Sequence, residues 1–195
     1  MKNRILCRVF ILIFLFNLFY SCTDRKNKDV PISNQKAISF QDLETGEKIL
    51  ENEIPYTKEN LERFVPEKIG DFSRTKLISG YKDAASMNGI LGVYQKDLNK
   101  SKLVTIEILD GAGNNGSVLL QAAEQRLDLD YEEKSNTGFT KIYRRNQNKV
   151  RETERSIEKY AEIEFIYNER FLFIFKGQMM SVVDLWEFVK LTELE

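Results

Sequence analysis

The sequence predicts an α+β domain built on a mainly antiparallel sheet of about seven strands, with a short N-terminal helix, a central helix and a C-terminal helix. Three observations carry this expectation. Several eight- to nine-residue segments alternate apolar and polar residues with period two, as in Lys102 to Asp110, where Val104, Ile106 and Ile108 share one face and Thr105 and Glu107 the other. Two longer segments instead repeat their apolar residues at helical spacing. Short turn sequences separate consecutive strands, which suits hairpins rather than parallel crossovers.

Taken in order, the domain is expected to begin near Thr57, a hydroxyl N-cap followed by acidic Glu59 in the first turn. Leu61, Phe64 and Val65 form a short stripe, and Pro66 ends that helix. Strands follow over Phe72 to Ser79, Gly89 to Lys96 and Lys102 to Asp110, with Lys96 to Ser101 as a hairpin connection. A helix from about Asn115 to Leu127 would bury Val118, Leu119, Ala122, Ala123 and Leu127.

The second half returns to strands at Phe139 to Arg145, Lys149 to Arg155, Tyr160 to Tyr167 and Arg170 to Phe175. Over 149–161 the spacing of Val150, Thr153, Ile157 and Ala161 also fits a helix, and strand is the preferred alternative. Asn168-Glu169 marks a tight hairpin, because Asn takes positive φ more cheaply than most residues. Phe171 to Phe175 is apolar on both faces and is expected at the sheet centre with both sides covered. Gly177 should end that strand, Ser181 should cap a last helix, and Val182, Leu185, Trp186 and Val189 should form its buried stripe. Trp186, the only tryptophan, reads as a core anchor.

This order of meander, central helix, meander and terminal helix resembles the folds of the Mog1 and PsbP type. It also resembles a group of uncharacterised envelope proteins that close on a strand, an Arg-Phe turn, an apolar strand, a Gly and a helix, here Tyr167-Asn168-Glu169-Arg170-Phe171 through Gly177. The resemblance spans about Asn60 to Leu191 and implies no catalytic residue.

The first residues carry a different message. Lys2, Arg4 and Arg8 precede an apolar run from Val9 that Asn17 alone interrupts before Ser21-Cys22. A membrane-spanning helix needs about 20 apolar residues, so this run is short for a permanent span and suits a cleaved signal. The end at Ser21-Cys22 resembles the lipobox of bacterial lipoproteins, although Phe19 and Tyr20 stand where that motif carries Leu and a small residue. The resemblance implies a signal peptide over 1–21, acylation of Cys22, and a membrane attachment through several acyl chains such as palmitate. An uncleaved signal anchor and ordinary signal cleavage remain open. Residues 22–56, rich in Lys, Asp, Asn and Ser, read as a flexible tether, leaving 57–195 as one domain. Thr23 after the cysteine implies, within the same resemblance, attachment at the outer membrane facing the periplasm.

Composition excludes several chemistries. The chain has no histidine, and its two cysteines are Cys7 in the leader and Cys22. Triads with histidine, histidine zinc sites and an imidazole pH switch are therefore absent. Loss of three of the 29 basic residues with the leader, against 30 acidic ones, gives a mature charge of about −4 and no reason to expect nucleic acid as partner.

One motif requires weighing: Gly111-Ala112-Gly113-Asn114-Asn115-Gly116 matches the glycine spacing of a dinucleotide fingerprint between a strand and a helix. Its strand, however, carries Thr105 and Glu107 on one face and ends in Asp110, where a pyrophosphate would approach. The preferred reading is a loop with Asn114 or Asn115 capping the helix and no nicotinamide cofactor. Asp110, Gly111, Gly113, Asn114, Asn115 and Gly116 stay as a possible ligand or partner loop. Glu152 and Glu154 are expected in cross-strand ion pairs or in solvent. Asp128, Asp130, Glu132 and Glu133 lack the register of a calcium loop, and no metal or cofactor is expected. The functional expectation is a lipid-anchored envelope protein that binds another envelope protein or a small apolar ligand. The alternatives are a histidine-independent enzyme, such as a carboxylate glycan hydrolase, and an accessory subunit of an envelope complex.

Overall fold

In a computed structural model the described residues are 50–80 and 88–194. The leader, Cys22 and the expected tether up to residue 49 lie outside them. Twelve elements follow one another among the described residues. The first half contains α1 (Lys58–Glu62), β1 (Lys68–Ile69), β2 (Phe72–Ser79), β3 (Gly89–Lys96), β4 (Leu103–Asp110) and α2 (Asn114–Leu127). The second contains β5 (Glu132–Ser135), β6 (Gly138–Arg145), β7 (Asn148–Arg155), β8 (Tyr160–Tyr167), β9 (Phe171–Gln178) and α3 (Val182–Lys190).

All strands join one antiparallel sheet in the order β1-β2-β3-β4-β9-β8-β7-β6-β5. Two meanders thus meet edge to edge along β4 and β9. The sheet has nine strands rather than about seven. The two additional ones give no periodic signal: β1 has two residues, and β5 is Glu-Glu-Lys-Ser with every side chain exposed. Both lie at sheet edges, where short length and charge discourage pairing with another chain.

β9 occupies the centre, as its two apolar faces require. Phe171, Phe173 and Phe175 join the larger core with Ile106, Ile108, Ile163 and Phe165, beneath Leu185, Trp186 and Val189 of α3 and Leu61 of α1. Leu172, on the other face, joins Leu109 and is covered by Leu120 and Ala123 of α2. Each large side chain withdrawn from water in this way stabilises the fold by roughly 1.5–3 kcal/mol. The 149–161 stretch is strand, turn and strand.

Three local expectations change. α2 buries Gly116, Leu120, Ala123 and Leu127, so Val118 and Ala122 face solvent; this stripe starts at a glycine that lets the helix approach β4. Gly113, with φ +78°, holds the position before the helix without a side-chain cap, in place of either asparagine. β9 runs through Gly177 to Gln178 instead of stopping, because the absent side chain makes room for Met180 and Leu185. The other caps form as the sequence predicts. Thr57 accepts from the Asn60 N–H, and Ser181 forms a reciprocal capping box with Asp184. Asn168 and Glu169 both take positive φ in the tight β8–β9 turn. No helix among the described residues is long and apolar enough to cross a membrane.

Candidate functional site

The glycine-rich loop lies at the end of β4, where the pairing of Asp110 with Phe171 brings Arg170 beside it. The Asp110 carboxylate is wholly buried and accepts from Arg170 Nε at 2.8 Å and Nη2 at 2.9 Å, a bidentate pair. It also accepts from the backbone N–H groups of Tyr56 at 2.7 Å and Ala112 at 3.0 Å. Arg170 reaches the Ile54 carbonyl at 3.0 Å and lies 4.5 Å over the Tyr56 ring.

Residues 50–56 therefore lie across the loop. The Gly113 N–H donates to the Leu50 carbonyl at 2.8 Å, the Asn88 side chain donates to the Tyr56 carbonyl at 2.8 Å, and Leu50 packs on the α2 core. Residues 50–56, expected at the end of the tether, are thus packed on the domain. The glycines have a packing reason. A Cβ on Gly111 would stand 2.7 Å from the Arg170 carbonyl oxygen, and one on Gly116 2.7 Å from that of Asp110. Asn114 and Asn115 form the exposed first turn of α2. Among the described residues the six loop positions are thus brought together, around an ion pair and a strap of the same chain. Arg170 was visible in the sequence only as part of a closing motif; its role depends on a partner sixty positions away.

The inner face of β7 holds two carboxylates that sequence reasoning left in solvent or in cross-strand pairs. Glu152 is buried and does pair across the strands with Lys141 at 3.0 Å, but it also accepts from Trp186 Nε1 at 2.5 Å and from the Tyr143 hydroxyl. Glu154 accepts from the Val182 N–H at 2.7 Å at the start of α3. Both therefore hold the last helix on the sheet. Trp186 is a core residue, and Arg145 lies 3.9 Å over its outer ring face.

Burial, followed by the hydrogen bond to Glu152, pushes the Tyr143 hydroxyl up to about 12 from its ordinary 10.0. Burial raises Tyr94 and Tyr160 as well, Tyr160 with help from Glu162. The sign follows from linkage: a folded-state value above the unfolded one contributes stability in full below about pH 10 and loses it as pH climbs toward 12. We predict a phenolate titration in which these three ionise late in the folded protein and together with the others in denaturant. Ionisation of every tyrosine near 10 in the folded state would contradict it.

Among the described residues, the second sheet face is covered by α2 only in part. Toward the β7–β8 turn it is open and charged, with Arg151 donating to Glu162 at 3.1 Å and Glu164 at 3.3 Å. Arg126 of α2 also binds Glu164, and Lys176 pairs with Glu107 at 3.2 Å. Beside this ladder is a groove of about 490 Å³, lined by Arg151, Thr153, Arg155, Tyr160, Glu162 and Gln178 among others. A second groove of about 290 Å³ across β5 to β7 shares Thr153, Arg155 and Glu158 with it. Met179, in the groove lining, holds positive φ without being glycine. Nothing in the sequence singled out this surface, because its parts come from five strands.

Among the described residues no three acidic or sulfur side chains converge as metal ligands. Asp128 instead pairs with Lys149, and Glu132 with Lys134. No protein-family model matches the chain, and no match is found among curated proteins or among solved structures.

Proposed function

We propose that the protein is a lipid-anchored component of the cell envelope, attached through Cys22 at the outer membrane and facing the periplasm, and that it acts by binding through the open half of its second sheet face. One observation carries the binding reading: the uncovered strands present two joined grooves, while the buried carboxylates Glu107, Asp110, Glu152 and Glu164 are each held by a cationic side chain. A carboxylate hydrolase is the second reading, favoured by Glu158 and Glu162 lining the same groove. Glu162 is nevertheless bound by Arg151 and by the Tyr160 hydroxyl, so its carboxylate is already engaged within the protein. The polar lining also departs from the small apolar ligand expected from the sequence.

The anchor is tested by metabolic fatty-acid labelling and fractionation of wild type and Cys22→Ser. The expected result is label and membrane attachment in the wild type and neither in the variant. A labelled, membrane-bound Cys22→Ser protein defeats the lipid anchor. The binding face is tested by a photocrosslinking residue at Gln178, in the groove, against one at Leu98, exposed on the β3–β4 turn and not part of the groove lining. Envelope adducts at the first position alone are expected. Equal capture at both, or none, defeats the reading.

A further inference from the structure

We propose that the two joined grooves on the second sheet face form a site for an uncharged, hydroxyl-rich ligand, a saccharide chain. The inference rests on the binding-face reading above and names the ligand class for that face.

The first support is the hydrogen-bonding inventory. Ser135, Thr137, Thr140 and Thr153 bring hydroxyls that donate and accept, Gln178 an amide that does both, and Arg155 a planar set of donors. Thr140 and Thr153, cross-strand partners, stand with their hydroxyl oxygens 3.1 Å apart. Ser135 and Thr137 are likewise bonded to each other, and the positions these hydroxyls keep open suit a ligand that mixes donors and acceptors along its length, as each sugar hydroxyl does with one donor and two acceptor positions.

The second support is charge. The two grooves present the carboxylates of Glu133, Glu158 and Glu162 against Arg151 and Arg155, so an anionic ligand would meet more carboxylates than cations. Two of those carboxylates already have donors within the protein. Glu162 accepts from Arg151 and Tyr160, and Glu133 from the Tyr131 hydroxyl. Arg151 is likewise held by Glu162 and Glu164. Glu158 and Arg155 are left facing the grooves with opposite signs, which favours neither an anion nor a cation.

Size and shape agree. Volumes of about 490 and 290 Å³ that meet at Thr153, Arg155 and Glu158 exceed what a single ion occupies and run across the strands from β5 to β9. The Tyr160 ring and the Met179 side chain supply apolar surface for the C–H faces of a sugar. β5 and the β7–β8 turn form the rim.

The test uses the full-length chain in micelles of a detergent without a sugar head group. Calorimetric titration would employ four neutral probes, the tetrasaccharides of N-acetylglucosamine, glucose, mannose and xylose, with inorganic phosphate and tetralysine as charged controls. At least one tetrasaccharide is expected to bind, and the charged probes are not. Arg155→Ala and Gln178→Ala, both at exposed positions, should each weaken binding about tenfold without lowering the melting temperature, and Leu98→Ser should leave it unchanged. No tetrasaccharide binding, binding indifferent to both groove variants, or tighter binding of a charged probe overturns the ligand class. Adducts at Gln178 without saccharide binding would remove the saccharide and keep the binding face, whereas the absence of both would remove the two together.

Discussion

Asp110→Ala should lower the stability of the domain by about 3–5 kcal/mol, the cost of breaking a buried ion pair by removing one partner. The Asp110 side chain is 0% exposed and that of Arg170 17%, so the arginine left behind has little water to turn to. The substitution also strips acceptors from the N–H groups of Tyr56 and Ala112. For a domain of this length that corresponds to a fall of about 10 °C in melting temperature. Arg170→Ala should cost a similar amount, since it leaves the carboxylate buried with backbone donors alone. The double variant should lose far less than the sum, because each single change already abolishes the pair. Denaturant unfolding of the four proteins measures this. A loss below about 1 kcal/mol in both single variants would show that the pair does not hold residues 50–56 on the sheet. Limited proteolysis in that segment supplies a local readout, and both single variants should be cut faster there.

Trp186→Ala should be the second most damaging change, again by about 3–5 kcal/mol. It removes a side chain only 6% exposed from between α3 and β7, and it takes the indole donor from Glu152. Trp186→Phe separates the two effects. The smaller ring keeps most of the packing and loses the hydrogen bond, so its cost should fall at about 1–3 kcal/mol. If Phe proves as harmful as Ala, the donor to Glu152 dominates and packing contributes little. If Ala costs less than about 1 kcal/mol, Trp186 is not the anchor of α3. Circular dichroism is the appropriate probe, because Trp186 is the only tryptophan and its fluorescence disappears with it.

Much of the architecture was legible because the signals are local. Alternation in β4 and the doubly apolar run of β9 depend on neighbouring residues, and both elements lie where those patterns place them. β5 was not legible, since Glu132-Glu133-Lys134-Ser135 has no apolar residue and becomes a strand only by pairing with β6. The α2 stripe was misplaced for a related reason. Val118 and Leu120 are equally apolar, and the choice between them is made by the close approach of Gly116 to the β4 end.

By itself the sequence determined an α+β class, a central aromatic strand, a domain without histidine or an available thiol, and a glycine loop between β4 and α2. These follow from composition and from periodicity within a few residues. Tertiary structure alone decided what the charged residues do. Asp110 meets Arg170 because β4 pairs with β9; Glu152 is buried because α3 returns to cover β7; Arg155, Thr153 and Gln178 face open grooves because α2 covers only part of the second face. A charged side chain carries the same local signal whether it ends in solvent, in a buried pair or in a groove, since the desolvation and Coulomb terms that separate these fates come from residues distant in the chain.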